Sequence, residues 1–356
     1  MRTKSLLLLG TVFLTLTLGV LPCGAVWESP HEPYQITIYT LTVGSTNYLM
    51  GVTLADLINK HSTWLKARSV EGMNSDAHVK MLAAEPEKRK NTLVFSAISS
   101  HWYIETGRMR GANPYSGHRQ VAVWGSPANG FVSIDPKITK LEDLKGKRVG
   151  VDLKPFFSRA ELGLSLVRQY VPSDQFRVEH LSPIDGFDAL RNGLIDVYYG
   201  IGVMKSIDQA IPSPAMQEFL DTIRQKPYFL SPSMEKARAA LKSLGGYPSP
   251  PITVAPGTFH PKQDVPWTLL AGCLTWGADV AMPDDVAYEI ARIQYEYRKR
   301  FAEVAPAGAF VSKETVGLFG VPEDRVHPGA LKFYKKAGIE IGYLGWREPL
   351  DWKPVR

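Results

Sequence analysis

Cysteine is almost absent: the 356 residues contain two, Cys23 and Cys273. Arg2 and Lys4 precede an uncharged apolar run over residues 6–21, and Cys23-Gly24-Ala25 forms a small-residue site before Val26. That order is a secretory signal peptide, so residues 1–25 are expected to be removed by cleavage after Ala25, leaving a periplasmic protein. A lipid anchor on Cys23 is the alternative, disfavoured by Pro22 where a lipobox needs a small residue. Cleavage leaves Cys273 alone, which excludes an intramolecular disulfide. Its neighbours Leu269, Leu270, Ala271 and Leu274 mark a buried, inert thiol. No second long apolar run follows, so no later segment is expected to span a membrane.

Basic runs with interleaved aromatics are missing too, which argues against nucleic acid as a partner. Residues 85–90, EPEKRK, are of mixed charge and read as a solvated loop. The chain has no G-x-S-x-G, H-E-x-x-H, C-x-x-C or G-x-x-x-x-G-K-[ST], and Gly200 and Gly202 supply only the first half of G-x-G-x-x-G. Its eight histidines are scattered. No catalytic residue, metal site or cofactor is therefore nominated, and the expectation is that the protein is not an enzyme.

What is present is ordinary globular material, 44% hydrophobic and 21% charged, long enough for two cored domains. Loss of Arg2 and Lys4 lowers the formal net charge from +6 to +4, a mildly basic surface suited to anionic ligands or to membrane contact. Strand and helix signals alternate in the manner of a parallel sheet. Residues 34–40 (YQITIYT) read as a strand, followed by a small polar turn and a helix on which Met50, Leu54, Leu57, Ile58 and His61 share a face. Strands over 66–70 and 93–98 end in the same way, so three strand ends deliver hydroxyls and aromatics to one edge.

Further strands are expected over 120–124 and 131–134 around a 125–130 turn, then 149–151, 177–181, 194–200 and 267–276. Helices are expected over 141–145, 186–192, 213–222, 283–301 and 328–337. In residues 147–166 a strand leads into a helix whose start is signed by the capping box Ser158 to Glu161. Such a start attracts carboxylate or phosphate oxygens through its free N–H groups and dipole. Pro and Gly crowd residues 244–256, which reads as a crossover between domains. The layout is two α/β lobes with a ligand between them: lobe I over 34–124 plus 256–356, lobe II over 125–255, hinged near Trp124 and Val254.

Several stretches carry a family likeness: VGSTNYLMGVTLADLIN (43–59), LEDLKGKRVGV (141–151), LSPIDGFDALRNGLIDVYY (181–199), APGTFHPKQDVPW (255–267), DDVAYEIARI (284–293) and HPGALKFYKKAGI (327–339). With them the mature chain resembles the TAXI family of TRAP-transporter solute receptors. The resemblance implies a type II periplasmic-binding-protein fold, with two α/β lobes joined by crossing hinge strands and the ligand cleft between them. It also implies capture of a small organic anion by a monomer and delivery to TRAP membrane permease subunits driven by an ion gradient.

Carried over position by position, the family's first binding loop falls on Ser45, Thr46, Asn47 and Tyr48, and its second on Met73, Asn74 and Ser75 beside Gly72. Its third falls after the strand carrying Ser96, on Ala97, Ile98 and Ser99, where the family's polar trio is lost. Its Gly-rich helix start falls on Pro155, Phe156, Phe157 and Ser158, with Arg159 adding a charge, and its strand-end aromatic and glycine on Tyr199 and Gly200. Two phenylalanines in place of glycines add bulk and apolar surface. The expected ligand is thus a carboxylate with an apolar or aromatic part, for which Phe156, Phe157, Trp102, Tyr103 and Tyr199 are candidate packing partners and Ser158, Arg159 and Lys205 candidate anion partners. A secreted α/β enzyme acting on a small acid, and a ligand-binding partner of a membrane kinase, are the alternatives.

Overall fold

The computed structural model describes residues 32–246 and 248–342; the signal peptide, its cleavage after Ala25 and the Cys23 alternative lie outside the described residues. The chain begins with β1 (Tyr34–Tyr39), α1 (Thr46–His61), β2 (Leu65–Val70), α2 (Ser75–Ala84), β3 (Thr92–Ala97), α3 (Ile98–Glu105) and β4 (His118–Gly125). Alternation places Ile36 and Ile38 of β1 in the core. Ser45 caps α1 by accepting the Tyr48 N–H; of the expected stripe Met50, Leu54, Leu57 and Ile58 are buried, while His61 at its end is half-buried.

The chain continues through β5 (Pro127–Ser133), β6 (Arg148–Val151), α4 (Phe157–Val167), β7 (Arg177–His180), α5 (Pro183–Arg191), β8 (Val197–Met204) and β9 (Ala210–Pro212). Then follow α6 (Pro214–Thr222), β10 (Tyr228–Leu230), α7 (Met234–Ser243), β11 (Pro251–Val254) and β12 (Trp267–Ala271). It returns through β13 (Leu274–Asp279) to α8 (Asp284–Glu296), α9 (Lys299–Val304) and α10 (Pro328–Lys336).

One sheet has the order β2-β1-β3-β13-β4, with β1 parallel to both neighbours and β13 antiparallel between β3 and β4. The other runs β11-β12-β5-β8-β6-β7, with β9 on β8 and β10 on β5. There β6 is parallel to β7 and β8 while β5 is antiparallel to β8. Parallel neighbours need helical crossovers, so each sheet is flanked by helices. The result is a mixed α/β protein of two lobes joined by crossing strands.

The chain crosses between sheets at Ser126, from β4 to β5, and at Gly272-Cys273, from β12 to β13. The crossings lie side by side: Gly272 N–H donates to the Pro127 carbonyl at 3.1 Å, and Leu274 pairs with Gly125. Three expectations change here. The 125–130 turn is the first crossing, with β5 starting at once on Pro127. The 267–276 strand is two strands, because its apolar run continues from one sheet into the other. And β12 belongs to the second sheet, so the return crossing comes later than the 255/256 boundary and than the Val254 hinge. The 283–301 helix is also broken, into α8 and α9, at Tyr297-Arg298, where Tyr297 stacks on His61 at 3.6 Å.

Candidate functional site

A cavity of about 330 Å³ opens between the lobes beside the crossings. In the first lobe it lies at the C-terminal ends of β1 and β3, where the order 2-1-3 sends neighbouring connections apart and leaves a crevice. The starts of α1 (Ser45, Thr46, Asn47), α2 (Asn74, Ser75, Asp76) and α3 (Ile98, Ser99, Ser100) line it, and α4 of the second lobe adds Phe156, Ser158 and Arg159. First-turn N–H groups have no partner inside their own helix, and each start carries the positive end of a dipole. Asn74 caps α2 by accepting the Ala77 N–H at 2.9 Å, whereas α3 and α4 have no side-chain cap.

Three almost fully buried residues lining this cavity, Asn47, Trp124 and Asn129, each hold one polar atom with no hydrogen-bond partner among the described residues: Asn47 Nδ2, Trp124 Nε1 and Asn129 Oδ1. The three residues are 4%, 3% and 3% exposed. The other end of each carboxamide is fixed, since Asn47 Oδ1 accepts the Leu41 N–H at 2.8 Å and Asn129 Nδ2 donates to the Leu270 carbonyl at 3.3 Å. Buried polar groups are costly to leave unsatisfied, so these two donors and one acceptor mark where a polar ligand fits. Most of the remaining wall is apolar: Ile201 and Val203 of β8, Leu274, Pro127, and Phe95, whose ring is tilted against Trp124 with centroids 5.9 Å apart.

Charge is sparse. Arg159 pairs with Asp152, whose carboxyl is raised by burial against the pull of that guanidinium. Asp76 is raised by burial too, opposed first by the Ser100 hydroxyl, which donates to Oδ1 at 2.5 Å, then by Lys80 and the Ser158 backbone N–H.

Of the expected site residues, Ser45, Thr46, Asn47, Asn74, Ser75, Ser99, Phe156, Ser158 and Arg159 share this cavity. Phe157 starts α4, and its side chain lies outside those described. Tyr48, Met73, Ser96, Tyr199 and Gly200 do not line it. Met73 points outward at 61% exposure, and Ser96 is buried in β3 against His118 Nε2 at 2.9 Å. Tyr199 is fully buried, its ring 4.7 Å from Phe131, and Gly200 faces Phe187 and Met216. Trp102 is likewise core, under the Arg108 guanidinium at 4.6 Å, and neither Tyr103 nor Lys205 lines the cavity.

The capping box is not made either. A 3-10 turn over Lys154–Phe156 leads into α4 so early that Ser158 is its second residue, and Glu161 pairs with Arg168 at 2.9 Å. Sequence reading missed Trp124, Asn129, Asp76, Ile201 and Val203. An asparagine within the apolar strand PANGFVS was the available signal for Asn129.

His78 braces the second loop. Its Nε2 accepts the Met73 N–H at 3.0 Å and its Nδ1–H donates to the Phe95 carbonyl at 3.0 Å, a pairing that requires neutral imidazole. Burial lowers its pKa to about 4. Below the unfolded value near 6.5 the unfolded chain binds a proton that the folded chain refuses, so stability falls as pH drops from about 6.5 towards 4. For His78 alone the loss is on the order of 3 kcal/mol. His101 and His118 are lowered as well, chiefly by burial, and add to the same slope. Thermal unfolding across this range is expected to show that fall, with His78→Gln making it shallower. An unchanged slope in the variant would contradict the assignment.

A model of the NMT1-like family matches residues 38–338. Among solved structures, an R. palustris protein with adipate is 16% identical, covering 86% of this chain and 98% of that chain, with a TM-score of 0.47. MatC from Rhodopseudomonas palustris with bound malate is 12% identical over 86% and 97%, with a TM-score of 0.45. The periplasmic aliphatic sulphonate binding protein SsuA from Escherichia coli is 13% identical over 79% and 81%, with a TM-score of 0.39. The family match takes in both sheets and both crossings, from within β1 to just beyond α10, and on that match the chain belongs to the NMT1-like family.

Proposed function

We propose that this chain is an extracytoplasmic solute-binding protein that captures a small organic anion, a carboxylate with an apolar or aromatic part, and hands it to a TRAP-type membrane permease. The observation that carries the reading is the meeting of α1, α2, α3 and α4 at one cavity whose remaining wall is mostly apolar. An acid group satisfies first-turn N–H groups and Asn47 Nδ2, while the apolar part packs on Ile201, Val203 and Phe156. Closure of the lobes about Ser126 and Gly272-Cys273 traps the ligand and presents one shape to the permease. The TRAP partner and the periplasmic location rest on the TAXI resemblance and the signal-peptide pattern. Among the described residues no helix is long and apolar enough to cross a membrane.

Mass spectrometry of the small molecule released when the purified protein is denatured tests the reading. A carboxylic acid bearing an apolar or aromatic part is the expected species; a neutral or cationic compound would overturn it.

A further inference from the structure

One helix start in the cavity already faces a carboxylate of the protein itself. Asp76, on α2 of the first lobe, accepts the backbone N–H of Ser158 at the start of α4 in the second. A chain of hydrogen bonds holds it there: Ala97 N–H donates to Ser75 Oγ at 2.6 Å, Ser75 Oγ–H to Ser100 Oγ at 2.8 Å, and Ser100 Oγ–H to Asp76 Oδ1 at 2.5 Å. Beside it Asn74 Nδ2 donates to the Pro155 carbonyl at 3.4 Å, a second contact between the same two segments. Asp76 and Arg159 are the charged residues lining the cavity, and Arg159 is held by Asp152 outside it.

Burial raises the Asp76 carboxyl, while the Ser100 hydroxyl, Lys80 and the Ser158 N–H directed at it oppose that rise and favour its charged form. The positive end of α4 is therefore offset before any ligand arrives, whereas α1 and α3 carry no acidic residue in their first turns. A ligand with one acid group can use those starts together with Asn47 Nδ2. A second acid group sent to the far end meets Asp76 inside a poorly screened cleft, and like charges there are strongly penalised.

Resting on the reading that the cavity takes an organic acid, we propose that Asp76 is a specificity-determining residue that makes the site select monoanions over dianions of the same skeleton. It does so by occupying the α4 start from the opposite lobe, so it also ties the lobes together on that side.

The test is titration calorimetry on the full mature chain at about pH 7.5, where both acid groups of a dicarboxylate are ionised. The probes are hexanoate against adipate and 4-methylbenzoate against terephthalate. The wild-type chain is expected to prefer the monoanion by about tenfold or more in at least one pair. Asp76→Asn keeps the size and an acceptor for Ser100, and should cut that ratio by about tenfold. Asp76→Ser serves as a second variant with the same expectation, and far-ultraviolet circular dichroism checks that each is folded. Equal affinity for both members in the wild type, or a ratio unmoved in both variants, overturns the proposal and leaves the organic-acid reading standing. Failure of the wild type to bind any of the four acids at millimolar concentration overturns that reading, and this proposal with it.

Discussion

Ile201→Asp is expected to abolish capture of the ligand, with a loss of about a hundredfold or more in affinity and little change in thermal stability. Along β8 the residues alternate: Gly202 and Met204 are buried on one side, while Ile201 and Val203 are partly exposed to the cavity on the other. Because Ile201 faces the cavity rather than the core, a polar replacement leaves the fold intact. In the occupied cleft its carboxylate loses water and stands in the wall that receives the apolar part of an acid. Removing the apolar contact alone is worth about 1–2 kcal/mol, and the buried charge adds more. Ile201→Ala, which lacks the charge, should therefore lose on the order of tenfold. Calorimetry with the acid released from the wild-type protein reads both, and retention of wild-type affinity by Ile201→Asp would rule out this wall as the ligand's apolar contact.

Gly163→Val should damage stability and binding together. Gly163 sits in the middle of α4 under the ring of Tyr199, and a Cβ there would stand 2.7 Å from Tyr199 Cδ1. In a free helix a glycine replaced by alanine gains about 0.5–1 kcal/mol. Here the overlap costs about 1–3 kcal/mol for the first methyl-sized group, and valine adds two branches, so the clash wins. The helix is pushed from its sheet, and its start, with Ser158 and Arg159, moves out of the cavity. We expect a fall in midpoint on the order of 5 °C or more, and roughly tenfold weaker binding. Tyr199→Ala in the same chain should recover part of both, because it opens the space the valine needs. Unaltered melting of Gly163→Val would show that α4 is not seated on Tyr199.

That glycine also explains why Tyr199 was misread from sequence. A strand ending at Gly200 would put an aromatic at the cleft edge, but β8 runs on to Met204, and the ring is spent on seating α4. The cavity-facing positions are the next alternate ones, Ile201 and Val203, which look like any buried strand.

Local signals carried the first lobe well. The alternation of residues 34–39, the Ser45 cap and the stripe on α1 are set by neighbours in sequence, and so is the delivery of strand ends to one edge. What depends on distant chain was not legible. Nothing in the apolar run 267–276 says that it leaves one sheet for the other, since both sheets bury it equally. Asp76 was not singled out in the sequence, because its partner Ser158 is carried by the other lobe. The Ser158 to Glu161 pair had the spacing of a capping box, but the 3-10 turn before it wound the helix early and left Phe156 at the cap. Asn47 was found through its loop, whereas the partnerless Nδ2 that makes it informative shows only once Leu41 is seen to take its oxygen.

The central claim is that the meeting helix starts recognise negative charge rather than shape alone. Titration calorimetry of the released acid against its own primary amide measures this directly, since the two share size and apolar part and differ in charge. At least about a hundredfold preference for the acid is expected, equivalent to roughly 2.7 kcal/mol. Equal affinity for acid and amide, or tighter binding of the amide, would contradict it.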